Sequence, residues 1–216
     1  MEYNYSPIIG QQYCLSYPTN LAFTTKIAGV RHGELAVIDV NGNPLFWFDG
    51  SSKDKKWILV DAISSCTLVS MREKSWSLHE RWEVFRGDST NKKDLLFRVK
   101  RSSALKIHPK LEVFLADNTK EEECDFKIKG KYRKRSIMIY KGNKSTVLAQ
   151  MRKEHNVVKF PLEKDAFGVN ISPYTDYAFI AILIAILHKI SQESTRLKEE
   201  LSEEVVSQVV EELVSA

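Results

Sequence analysis

Short apolar runs separated by polar turns fill the chain from Leu21 to Ile171, and at Tyr177 they give way to a run of a different kind. Leu21–Ile27 alternates in part, Glu34–Val40 leads into the hairpin dipeptide Asn41-Gly42, and Leu45–Phe48 is its return strand. Trp57–Val60, Thr67–Met71, Trp76–Phe85, Leu95–Lys100 and Leu111–Leu115 continue the series. Phe126–Lys129, Ser136–Tyr140, Thr146–Met151, Val157–Phe160 and Phe167–Ile171 complete it. Alternation puts successive side chains on opposite faces of a sheet. With turn residues at this spacing, the pattern predicts about a dozen antiparallel strands in a sandwich or barrel.

Tyr177–Leu187 is apolar on every side, where a surface helix would show a single stripe. The β-branched Ile residues also suit a strand, but the length and the caps favour a helix over 176–190. Thr175 or Asp176 can cap its start, and with Thr175 as cap Tyr174 and Phe179 form a hydrophobic staple. His188 and Lys189 place cations at its end. The apolar run falls short of the roughly 18–20 residues of a membrane span, so no transmembrane segment is predicted. Such a helix needs a protein sleeve, and the upstream strands are the material for one. The chain thus divides into an irregular leader (1–20), a barrel with its helix (21–190) and an acidic tail (191–216). In the tail, Leu197, Leu201, Val205, Val209 and Leu213 recur every four residues, as in an amphipathic helix. That helix could lie on the barrel or meet a protein partner.

At 216 residues the chain can bury one substantial core. Its first ten residues lack the basic start and apolar centre of a secretory signal, Gly does not follow Met1, and the C-terminus has no prenylation box. Cys14, Cys66 and Cys124 are scattered and odd in number, which fits a reducing compartment. The localisation read from this is cytoplasmic, with a peripheral membrane position or the nucleus as alternatives. From Glu193 onward seven acids face Arg196 and Lys198, a net −5, so the overall +4 leaves +9 on the body. A basic body favours anionic partners.

The five histidines fall on separate segments without ligand spacing, there is no Cys-x-x-Cys, and no nucleophile elbow, P-loop or dinucleotide fingerprint is present. No metal, cofactor or catalytic residue is predicted, and the reading is non-enzymatic. Asp39-Val-Asn-Gly-Asn43 resembles the start of a calcium loop, but Pro44 stands where glycine is needed and Gly50 where the last glutamate is needed. It reads as a hairpin turn. Cys14 could carry an acyl chain, but a buried structural role is the plainer reading. The densest feature is Lys127, Lys129, Lys131, Arg133, Lys134 and Arg135, six cations within nine residues, with Lys141, Lys144, Arg152 and Lys153 following. They could clamp phosphates of lipid headgroups or track a nucleic acid, or be a solvated turn. Arg98, Lys100, Arg101, Lys106 and Lys110 pose the same choice, and Tyr132 is the only aromatic in the first cluster.

From about Gln12 to Ile190 the chain resembles the LURP-one-related family of plant proteins. The resemblance rests on Asp39-x-Asn-Gly, Arg81-Trp-Glu-Val-Phe-Arg-Gly87, Leu96-Phe-Arg-Val-Lys-Arg101, Leu111-Glu-Val-Phe-Leu115, Asp125-Phe-Lys-Ile-Lys-Gly130 and Asp176-Tyr-Ala-Phe-Ile180. It implies the tubby C-terminal-like fold, a closed antiparallel β-barrel of about twelve strands around a central buried C-terminal α-helix. The superfamily includes phospholipid scramblases and tubby-like membrane-tethered transcription factors, and some family members are linked to plant defence. The resemblance therefore implies a phospholipid-binding or membrane-tethering module whose partner is an anionic headgroup. A DNA-binding, transcription-linked protein and an enzyme with an unrecognised site remain the alternatives. The acidic tail after Ser191 is longer than the family pattern implies, so its role is not carried over.

Overall fold

A computed structural model of the chain describes residues 6–25, 33–51, 56–74, 81–101, 110–142, 145–152 and 166–214. Its strands are β1 (Thr19–Thr24), β2 (Gly33–Ile38), β3 (Pro44–Ser51), β4 (Lys56–Asp61), β5 (Thr67–Lys74) and β6 (Arg81–Arg86). Then come β7 (Leu95–Arg101), β8 (Leu111–Leu115), β9 (Phe126–Lys131), β10 (Ser136–Lys141), β11 (Val147–Arg152) and β12 (Phe167–Ile171), followed by the helix α1 (Tyr177–Val214). The strand expected at Val157–Phe160 and the first half of Trp76–Phe85 lie outside the described residues.

Each strand pairs antiparallel with its neighbour in sequence, and β1 closes the ring against β12 in the register Leu21↔Val169 and Phe23↔Phe167. Closure is the solution that leaves no unpaired sheet edge. Inward positions alternate as the sequence pattern requires. On β4, Trp57 and Leu59 are buried while Ile58 between them is half-exposed. Gly50 lies opposite Trp57 on β3, and a Cβ there would overlap the indole, so glycine makes the room the indole occupies.

The helix fills the barrel. Ala178 through Ile186 have no solvent exposure at all. Phe179 sits with its ring 5.1 Å from that of Phe97 and 4.8 Å from that of Phe126. By length and composition Tyr177–Arg196 could cross a bilayer, but its first half is enclosed by strands.

Asp176 starts the helix and also closes that end of the barrel. Its Oδ1 accepts the Phe179 N–H at 3.0 Å, and its Oδ2 accepts the N–H groups of Ile8, Ile9 and Gly10 at 3.1, 2.7 and 3.2 Å. Burial pushes its carboxyl pKa up, and those four N–H bonds oppose the shift. The leader is thereby tied down, with Tyr13 edge-on to Phe46 and Tyr177.

Of the two caps the sequence allows, Asp176 is the one used, so the staple that a Thr175 cap would set is not formed; Tyr174 is 49% exposed with φ +58°. One expectation needs correction: the helix does not close at His188 and Lys189 but continues unbroken to Val214. The side chains of the periodic residues Leu197, Leu201, Val205, Val209 and Leu213 lie outside the described ones.

Candidate functional site

The six cations singled out in the sequence lie where α1 leaves the barrel. Strand β9 carries Lys127 and Lys129 outward between the inward Phe126 and Ile128, then reaches Lys131. A 3-10 turn, Tyr132–Lys134, reverses the chain, and Arg135 returns it to β10 in the left-handed conformation at φ +50°. Gly130 precedes the turn at φ +121°, and a Cβ on it would run into the backbone carbonyl of Ser136. Only glycine fits there.

The turn is pinned to the helix. Tyr132 Oη lies 2.8 Å from His188 Nδ1, with its ring edge-on to Phe167, and Arg133 donates to the hydroxyl of Thr195. Burial pushes the Tyr132 phenol up to about 12, against the pull of Arg135. Burial, aided by Arg135 and Lys189, pushes His188 down to about 4. At neutral pH the imidazole is neutral, and its Nε2 is buried without a hydrogen-bond partner among the described residues.

The six residues do not share one environment. Arg135 lies over Phe167 at 4.1 Å and Tyr132 at 5.1 Å, half-buried. Lys127 faces Glu112 across the strands at 3.8 Å. Lys129 covers the Tyr140 ring at 5.2 Å. Lys129, Lys131, Arg133 and Lys134 are exposed. Among the described residues no carboxylate lies within ion-pairing distance of Lys129, Lys131 or Lys134.

Arg98 and Lys100 of the other basic stretch have a carboxylate beside them. Glu121, in the loop after β8, takes Arg81 and Lys100 as close partners and Arg98 at 3.7 Å. Glu83 takes Lys74 at 2.7 Å and Arg72 at 3.8 Å. Lys110 is exposed, and Lys106 lies outside the described residues, as do Lys144 and Lys153. Asp39 spends its carboxylate on the N–H groups of Asn41 and Asn43, both at 2.8 Å, as a hairpin turn should. Burial pushes the Cys14 thiol up to about 11, with Asp176 adding to it, so it is protonated at neutral pH.

Between the turn and the helix is a cavity of about 400 Å³. Ile128, Ile137, Leu187 and Ile190 form an apolar floor; Arg101, Lys129, Lys131, Arg133 and Lys134 stand at its edge; Ser191 and Ser194 face it from the helix. A second cavity, of about 300 Å³, touches Tyr132, Arg135 and His188. Sequence reasoning found the cations but missed Tyr132, His188 and Thr195 as their supports. Positions 56 residues apart, such as Tyr132 and His188, leave no local signal.

The span from β1 to this exit, residues 19–188, matches the LURP-one-related family. The chain belongs to that family. Protein LURP-one-related 15 of Arabidopsis thaliana is 42% identical over 189 residues, covering 86% of each chain. Protein LURP1 of Arabidopsis thaliana is 39% identical over 192 residues, covering 86% of this chain and 90% of the relative. An X-ray structure of an Arabidopsis thaliana protein aligns with a TM-score of 0.66 at 34% identity, covering 85% of this chain and 98% of that one. The basic turn lies inside the LURP-one-related span, while Ser191, Ser194 and Thr195 lie beyond it.

Proposed function

We propose that this LURP-one-related protein is a non-catalytic module that binds anionic phospholipid headgroups and tethers the barrel to a cytoplasmic membrane surface. The observation that carries the reading is a contrast in how the barrel treats its cations. Along β5–β7, arginines and lysines are matched with Glu83 and Glu121, whereas at the exit rim Lys129, Lys131 and Lys134 face solvent without a carboxylate among the described residues. Four exposed cations near an anionic surface contribute roughly 1 kcal/mol each. Lys129, Lys131, Arg133 and Lys134 are the headgroup ligands in this reading, with Lys127 and Arg135 set behind them.

A single-stranded nucleic acid would use the same charges but would also need aromatic faces for stacking, whereas a duplex would need the charges alone. Tyr132 is turned inward onto His188 and Phe167, which disfavours the single-stranded ligand and leaves duplex DNA as the competitor to be tested. We extend to this protein, within the same proposal, the link to plant defence that the resemblance carries. Co-sedimentation with phosphatidylcholine vesicles, with and without phosphoinositide, at physiological salt tests the reading. Binding only to the anionic vesicles, undiminished by excess duplex DNA, is the expected result. Preference for the DNA, or no binding to either vesicle, would overturn it.

A further inference from the structure

We infer that the cavity beneath the basic turn is an acyl-chain pocket, so that the protein takes up single-chain anionic amphiphiles, the phosphate on the rim and the tail inside. This rests on the headgroup reading and specifies what the rim is joined to. A surface that only docks on a membrane needs charge alone, and a solvated turn needs no cavity. Here the two occur together: about 400 Å³ of space floored by Ile128, Ile137, Leu187 and Ile190, directly below Lys129, Lys131, Arg133 and Lys134. That size falls within the range of small-ligand sites, which join an apolar lining to a few convergent polar groups. The charge at the mouth selects an anionic head, and the floor selects an aliphatic tail.

The pocket has a firm frame on both sides. Gly130 and Ile137, on paired strands, form one wall, and the left-handed Arg135 fixes the turn above it. Opposite is the helix, where Leu187 and Ile190 are 8% and 7% exposed and therefore reachable, while every residue from Ala178 to Ile186 is sealed. Tyr132 to His188 and Arg133 to Thr195 hold the turn at its distance from the helix. Ser191 and Ser194 sit at the mouth on the helix side, where their small side chains leave the entrance open.

The test is a titration of the full chain with a homologous series of monoacyl glycerol phosphates, kept below their micellar concentrations and followed by calorimetry. Glycerol 3-phosphate and the matching uncharged monoacylglycerols serve as controls. Each methylene that enters the pocket should tighten binding about fourfold, until the pocket is filled. Ser194→Phe, with Ser191→Phe as a second blocking variant should the first fail to fold, should abolish that chain-length dependence while leaving vesicle binding intact. An affinity independent of chain length in the unaltered protein, with vesicle binding present, overturns the pocket and leaves the headgroup reading standing. A steep chain-length dependence without vesicle binding supports the pocket and overturns the surface reading. Chain-length dependence unchanged in a folded Ser194→Phe or Ser191→Phe protein places the tail elsewhere and overturns the assignment.

Discussion

Gly130 and His188 show at the residue scale how the exit rim is made. With φ at +121° and the Ser136 carbonyl where a Cβ would be, Gly130→Ala cannot be absorbed by a side-chain rotation. It is expected to cost about 2 kcal/mol or more, read as a lower urea midpoint, and an unchanged midpoint would contradict the turn geometry. The sequence shows a glycine among lysines at this place, but only the register Ile137↔Gly130 reveals why. His188 makes a pH prediction. Its folded pKa, near 4, lies below the ordinary 6.5, so the folded state favours the neutral ring. The stabilisation is complete above about pH 6.5 and is lost as pH falls towards 4, a loss of up to roughly 3 kcal/mol. His188→Leu should flatten that acid limb in denaturation curves measured across this range. Equal limbs in both proteins would show that the imidazole is not buried against the turn.

At the scale of elements, the helix is an axle held at its buried end by one carboxylate. Asp176→Ala would leave the N–H groups of Ile8, Ile9, Gly10 and Phe179 without their acceptor. The expected loss is about 3 kcal/mol or more, together with faster proteolysis in the leader. A loss under about 1 kcal/mol with the leader still protected would contradict the tie. The burial of this helix was legible because an all-round apolar run has no face to offer water. Its far end was misread because His188 and Lys189 look like terminal cations. The better signal was an absence: no glycine or proline follows Pro173, so nothing in the sequence stops the helix. Thr175 and Asp176 are both good capping types, so the sequence leaves the cap between them, and only the leader's N–H groups select Asp176.

For the whole molecule, period-two alternation located the described strands and a helix that needed covering pointed to a sleeve, while closure was implied by the family resemblance. What alternation cannot give is the fate of each charge. Arg98 and Lys100 looked as available as Lys131 and Lys134, yet Glu121, some twenty residues away in sequence, folds back to pair with both of the first two. The exposed rim was thus half visible, as a dense basic segment, and its selection from two such segments came from the fold. The same geometry tells which residues to alter. Arg135 is packed on Phe167 and Arg133 is tied to Thr195, so reversing either would disturb the frame as well as the charge. Lys131 and Lys134 are exposed and carry no such ties among the described residues.

The central claim, that this rim is the membrane-binding surface, is therefore tested most directly by phosphoinositide-vesicle binding of Lys131→Glu/Lys134→Glu beside the unaltered protein. Thermal stability should be nearly unchanged, since exposed substitutions shift it by under about 0.5 kcal/mol each. Vesicle affinity should fall at least about tenfold, and the remaining binding should depend less steeply on salt. A double variant that stays folded and binds the vesicles as tightly as the unaltered protein would contradict the account.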